Sequence, residues 1–324
     1  ICMYKKLIVG ALVLTLFTAG MQGCARRAPE KKPAPPKIPE KISRGAGKEP
    51  VLRVYEVQTH TVKEMKLEDY VAGVVAGEME NDWPVEALAA QAILARTYVL
   101  EFITDKGGSK YGDADISTDF EEAQAWNPDN INDRIKKAVE MTRGEVVTYK
   151  GKYIKAWFHS HAGGMTATAK EGLNFKEAEP PYIKVTKSPD EDAGPEGRRT
   201  WSASFSKDEI SSVIRAEFGL ETGPIDSVSV EERGPSGRAT KLKIGDAVVS
   251  APELRIALGS MEMRSTLLTS FKVEGDKVLM AGKGFGHGVG LSQWGANVMA
   301  KQKTKPEDII RHYFKDVDIV KLWK

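Results

Sequence analysis

Hydrophobic and polar positions alternate along Val51-Leu-Arg-Val-Tyr-Glu-Val57 and return, after a polar gap, in Thr61–Lys66, a pattern that predicts a strand pair. From Leu67 the period changes to that of a helix, and the stretch Tyr70-Val-Ala-Gly-Val-Val-Ala-Gly77 is small and apolar until it presents Glu78, Met79 and Glu80. Asn81-Asp-Trp-Pro84 then reads as a turn, with Asp82 placed to cap the next helix and Pro84 in its first turn. That helix, Val85 to Ile103, is the longest in the chain. Leu88, Ala92, Ala95, Val99 and Phe102 form one apolar stripe, and Arg96 borders it, within reach of Glu78 or an anionic ligand.

Further along, Asn132 or Asp133 opens a helix ending before Gly144, and Glu145–Tyr149 with Tyr153–Phe158 flank the turn Lys150-Gly-Lys152 as a hairpin. Ser188–Arg199 reads as a polar, flexible loop. Ser206 and Ser250 open helices that stop at Gly219 and Gly259, with strands at 227–231 and 240–244 between them. Residues 200–264 thus carry core patterns and caps but no polar constellation, and read as a second lobe of scaffold. A hairpin at 271–280 leads to a run with glycine at every second position from Gly282 to Gly290, with His287 set between Gly286 and Gly288. Its bare backbone face allows a flat ligand or another main chain to approach closely. Leu291–Lys303 and Pro306–Phe314 read as helices before a short terminal strand.

Composition changes this picture mainly at the N-terminal end. Lys5-Lys6 followed by the short apolar run Leu7–Ala19 has the build of an export signal and is too short for a comfortable membrane span. Met21-Gln-Gly-Cys24 resembles a lipobox, so residues 1–24 are expected to be a lipoprotein signal with Cys24 lipidated, leaving an exported protein anchored to a membrane and facing the cell wall or periplasm. Residues 25–48, rich in proline with eight basic side chains against Glu30 and Glu40, read as an extended tether. They alone exceed the chain's net charge of +2, so the remainder is net acidic, which gives no support to nucleic-acid binding. Of the two cysteines, only Cys24 follows Met3, so the mature chain is expected to have neither disulfide nor thiolate metal site.

Candidate chemistry collects at three places: Glu78, the loop Phe158-His159-Ser160-His161-Ala-Gly-Gly164, and the block Gly284-Phe-Gly-His287-Gly-Val-Gly-Leu-Ser292-Gln293-Trp294. His159, His161 and His287 raise the possibility of a metal-dependent hydrolase, but none stands in a helical His-Glu-x-x-His arrangement. The glycine run is not a dinucleotide fingerprint, since no βαβ unit surrounds it.

These blocks, together with Trp83-Pro-Val-Glu-Ala-Leu88, Gln91 and Ala95-Arg96-Thr-Tyr98, and Gln124-Ala-Trp126, resemble the signature of the SpoIID/LytB family, relatives of stage II sporulation protein D, in the family's own order over roughly residues 50–315. The resemblance implies a mixed, strand-rich, two-lobed α+β catalytic domain over 49–324 with a long helix directly after the catalytic acid. It implies a lytic transglycosylase acting on peptidoglycan glycan strands, preferring strands stripped of stem peptides by an amidase. The family's catalytic Glu falls on Glu78 and its motif arginine on Arg96; Gln91, His159, Ser160, His287, Ser292 and Gln293 are the expected saccharide contacts or supports. Some members hold a structural zinc through a His and two Cys near the Gln-x-aromatic block; Thr118–Ala123 has no cysteine here, so no metal or other cofactor is expected. One carboxyl suits this chemistry, because the sugar's own 6-hydroxyl replaces the second acid that most glycosidases need. The competing reading is a non-catalytic glycan-binding protein that recruits or stimulates an amidase.

Overall fold

The computed structural model describes residues 33–324. The signal, Cys24 and the first part of the tether lie outside them. The end of the expected tether is not a free spacer. Ile42 is fully buried in the core, Lys41 Nζ pairs with Asp115 at 2.7 Å, and Tyr153 Oη donates to the Lys37 carbonyl. Two apolar side chains among basic ones, Ile38 and Ile42, dock the segment on the core, a signal that its composition hides.

The first lobe opens with the antiparallel pair β1 (Val51–Glu56) and β2 (Thr61–Lys66), followed by α1 (Leu67–Glu78) and α2 (Val85–Lys106). The cap expected from Asp82 is absent; α2 starts from Pro84 with no side-chain cap and ends on Gly107 in the left-handed conformation. Nor does α2 bear a single stripe. Residues 87 to 97 are buried on every side, so it is a core helix, as an all-round apolar sequence demands. The remaining elements of this lobe are β3 (Ile116–Ser117), parallel to β1, and α3 (Asp133–Met141), capped by Asn132. Next come β4 (Glu145–Tyr149), β5 (Lys152–Tyr153) and β6 (Phe158–His159), so the second hairpin strand breaks after Tyr153 instead of running to Phe158. After β6 the chain forms α4 (Ala169–Leu173) and passes to the second lobe.

That lobe comprises α5 (Glu196–Arg199), β7 (Thr200–Ser206), α6 (Lys207–Phe218), β8 (Val228–Arg233), β9 (Ala239–Ile244), β10 (Ala247–Ser250), α7 (Ala251–Ala257), β11 (Leu268–Glu274) and β12 (Lys277–Lys283). Two three-stranded antiparallel sheets, ordered β10-β9-β8 and β11-β12-β7, enclose a separate core from Trp201 to Met280. This core therefore reaches beyond residue 264. The chain returns to the first lobe as β13 (Leu291–Ser292), parallel to β6, then α8 (Gln293–Lys301), α9 (Pro306–Tyr313) and β14 (Asp318–Lys321), which pairs with β4. The whole is a mixed α+β fold.

Candidate functional site

Glu78 is the last residue of α1, and the glycines before it explain what it meets. Gly73 and Gly77 are four apart and share one face. A Cβ on Gly73 would lie 2.1 Å from Trp126 Nε1, and one on Gly77 would lie 2.7 Å from the main chain of Ala125 and Trp126. The bare helix face thus admits the segment Gln124-Ala-Trp126 directly onto α1. Contact at that range brings the Ala125 N–H to Glu78 Oε1 at 2.7 Å, while Asn127 N–H donates to the Gly73 carbonyl.

The opposite side of the carboxyl is built by β13 and α8. Ser292 Oγ accepts from Gly295 N–H and so caps α8, whose first residue, Gln293, holds Nε2 3.4 Å from Glu78 Oε2. Trp294 follows and meets Trp83 edge-on with ring centroids 4.7 Å apart. Glu78 is half-buried at the edge of a cleft of about 810 Å³, whose walls also include Trp83, Trp157, His159, Ser160, His287 and Gln293. Burial raises the Glu78 pKa above the ordinary carboxyl value; the bonds from Ala125 and Gln293 oppose the shift without cancelling it.

The glycine run serves main chain here. Gly286, at φ 107°, lies where a Cβ would come 2.8 Å from His159 Cβ, and the Phe285 N–H and carbonyl exchange hydrogen bonds with His161. This packing sets His159 and His287 side by side, ring centroids 5.6 Å apart. His159 Nδ1 donates to the Val289 carbonyl, which leaves Nε2 as a buried acceptor without a hydrogen-bond partner. His287 Nδ1 accepts from Val289 N–H. Burial lowers both pKa values, with neighbouring Arg238 adding to the effect: His159 falls well below the usual imidazole range and His287 to about 3, Arg255 contributing to the latter. Neither is a proton donor at neutral pH, whereas Glu78 is shifted toward being one.

Three of the expected contacts lie elsewhere. Arg96 is fully buried and donates to Glu68 through Nε at 3.1 Å and Nη2 at 2.6 Å, with Nη1 bonded to the Glu145 carbonyl at 2.9 Å. It meets neither Glu78 nor ligand, because α2 is covered on all sides. Gln91, one turn earlier, is equally buried and away from the cleft. Ser292 is buried too; besides its capping role, its hydroxyl donates to Asp190. Those three are structural. Glu86 does not line the cleft, while Glu80 does and is exposed.

His161 does not join the other two histidines in a metal site. Its Nδ1 accepts from Gly163 N–H and its Nε2 faces the Ala193 carbonyl, so both ring nitrogens are committed to main chain. Among the described residues no cluster of three metal-ligating side chains forms.

The sequence pattern passed over Asp190 entirely. It is fully buried and accepts from Ala162 N–H at 2.7 Å, Gly164 N–H at 2.9 Å and Ser292 Oγ, so it fastens the histidine loop to β13 from within a segment that reads as polar and flexible. Arg238, from the second lobe, does the same on the other side by donating to the carbonyls of Ala162 and Met165. Nothing local marks either residue, because each acts on partners more than 25 positions away.

The closeness of Gly77 to Ala125 supplies a test. Gly77→Ala must push the Ala125 N–H off Glu78 while favouring the helix itself; the expected result is an activity loss of about 10–100-fold with the far-ultraviolet circular dichroism unchanged.

A profile described as stage II sporulation protein (SpoIID) matches residues 55–149, and a domain of unknown function (DUF8618) matches residues 169–290. An uncharacterized protein of Brachyspira hyodysenteriae is 34% identical over 260 residues, 80% of this chain and 68% of its own. A Bacillus subtilis protein named amidase enhancer is 28% identical over 75% of this chain but only 39% of its own length. Stage II sporulation protein D of Bacillus amyloliquefaciens is 31% identical over 97% of this chain and 92% of its own. Both lobes and the blocks that meet at Glu78 fall within that last match, and the chain belongs to the stage II sporulation protein D family.

Proposed function

We propose that this protein is a peptidoglycan lytic transglycosylase in which Glu78 is both general acid and general base. The observation that carries the reading is a half-buried carboxyl with a raised pKa, held by Ala125 and Gln293 on the wall of an aromatic-lined cleft large enough for a sugar chain, where the other acids, Glu80 and Glu121, are exposed. Protonated Glu78 gives its proton to the oxygen linking C1 of N-acetylmuramic acid to the next sugar, and that C1–O bond breaks. The 6-hydroxyl of the same muramic acid closes on C1, and its proton passes to the Glu78 carboxylate. The products are a 1,6-anhydro end and a new free sugar end, and no water is consumed. The bond from Ala125 orients one carboxyl oxygen and Gln293 the other. His159, Ser160 and His287 shape the same wall, with the His159 ring buried behind it. The chain is further proposed to be exported and lipid-anchored at Cys24.

Incubation with peptide-free glycan strands, followed by mass spectrometry, tests the assignment: anhydro-muramic ends are expected, and their absence with intact glycan binding would leave a wall-binding role. That second reading, a protein that recruits or stimulates an amidase, is favoured by the name of the 28%-identical relative and by three exposed apolar side chains on the cleft, Phe120, Ile256 and Met261.

The pH dependence has a defined sign. Since the acid form of Glu78 starts the reaction and its pKa is raised, the rate is expected to fall as pH rises through that shifted value, above the normal carboxyl range. A rate limb at the ordinary glutamate pKa would remove Glu78 as the acid.

A further inference from the structure

We propose that Arg198 and Arg255 form a carboxylate-binding wall of the cleft, reading the ether-linked carboxylate that a muramic acid carries on its ring when no peptide is attached. The proposal rests on the glycan reading of the cleft given above, but not on catalysis.

Both arginines line the cleft, on walls built from the second lobe. Arg255 is buried, donates through Nε to the Arg264 carbonyl at 3.1 Å, and has no carboxylate within ion-pair distance; its Nη1 makes no protein hydrogen bond. Arg198 makes no side-chain hydrogen bond, and its guanidinium lies 4.9 Å from the centroid of Phe285, on which Arg264 also rests at 5.5 Å. Every arginine–carboxylate pair among the described residues uses Arg53, Arg96, Arg143, Arg215 or Arg311. Burial lowers the Arg255 pKa to about 10, which still leaves it a cation at neutral pH, and its field reaches His287.

A largely buried cation without a counter-ion is costly, and the chemistry that relieves it is an anion entering from the cleft. Phe285 keeps the guanidinium planes of Arg198 and Arg264 in place, which suits bidentate capture of a carboxylate. Glu78, Glu80 and Glu121 line the same cleft, so its charge is mixed, with acids as well as cations on its walls. The consequence is register. An alternating glycan has two unlike linkages, and only every second ring bears the carboxylate; anchoring that group on the basic wall selects which linkage Glu78 meets. A ring whose carboxyl is tied up as an amide loses the anchor.

Calorimetry on the full chain carrying Glu78→Gln, which leaves ligands uncut, tests this. The probes are a peptide-free tetrasaccharide of alternating N-acetylglucosamine and N-acetylmuramic acid, and the same compound with its carboxyls converted to methyl amides. The acid form is expected to bind about tenfold more tightly at low salt, the gap narrowing near about 0.5 M salt. Arg198→Gln is expected to remove most of the gap while leaving the amide form's affinity unchanged, and Arg198→Lys to keep part of it. Arg198 carries no packing bond, so a thermal melt should match the parent. Equal affinity for both forms, or a gap that survives Arg198→Gln and Arg255→Gln alike, overturns the carboxylate wall while the glycan reading stands. Failure of both tetrasaccharides to bind removes the glycan reading and this inference together.

Discussion

Glu78→Gln is expected to lower the formation of anhydro-muramic ends by roughly a hundred- to ten-thousandfold, the usual worth of a positioned proton donor. Glutamine keeps the shape and still accepts from Ala125 N–H, so the cleft stays intact while the transferable proton is lost. Stability should move in the opposite sense. With its pKa raised in the fold, Glu78 is destabilising once ionised, so wild-type stability declines as pH rises from the ordinary carboxyl value through the shifted one. The glutamine variant escapes that decline, and its melting temperature is expected to match the wild type at low pH and to equal or exceed it above the shifted pKa. Glu86→Gln provides the contrast: outside the cleft, it should retain a sizeable share of the activity. Equal loss from both variants would remove the assignment.

Arg96→Met is expected to act on the fold alone. It leaves the Glu68 carboxylate buried without its cation, a loss of about 3–5 kcal/mol, or a fall in melting temperature of about 10 °C. Glu68 is also the acceptor for Gly144 N–H and for Trp323 Nε1, so adding Glu68→Leu does not rescue the variant: both donors would then be stranded. The molecules that remain folded should show an unchanged KM. A raised KM with undiminished stability would return Arg96 to the substrate.

The contrast between these two residues shows what the sequence could and could not reveal. Local signals were readable where the physics is local. Ser206 with Glu209 forms the capping box, Gly107 and Gly219 close their helices, and Lys150-Gly151 turns β4 into β5. The alternating glycines marked close approach, and only the approaching party was open; it is main chain at Gly284 and Gly290 and a side chain at Gly282, Gly286 and Gly288. Arg96 was misplaced because its partner, Glu68, lies 28 residues before it on another helix, and periodicity says nothing of which helix covers which. Asp190 was invisible for the same reason, as was β7, whose pairing with β12 spans more than 70 residues. The position of Glu78 was legible because its turn follows an apolar helix directly, and Gln293 was expected among the site's supports; the Ala125 N–H was not.

Trp323 has a wider meaning than its indole bond to Glu68. Its carbonyl lies against Gly144, and β14 beside it completes the sheet begun by β4, so the chain's final turns close the lobe that α1 and α2 begin. The stretch 55–149 matched by the family is therefore not a module that can be cut out or grafted: it would carry an interior acid and an open sheet edge that only residues made nearly two hundred positions later can cover. The lobe that carries Glu78 is closed only once the residues around Trp323 have been delivered.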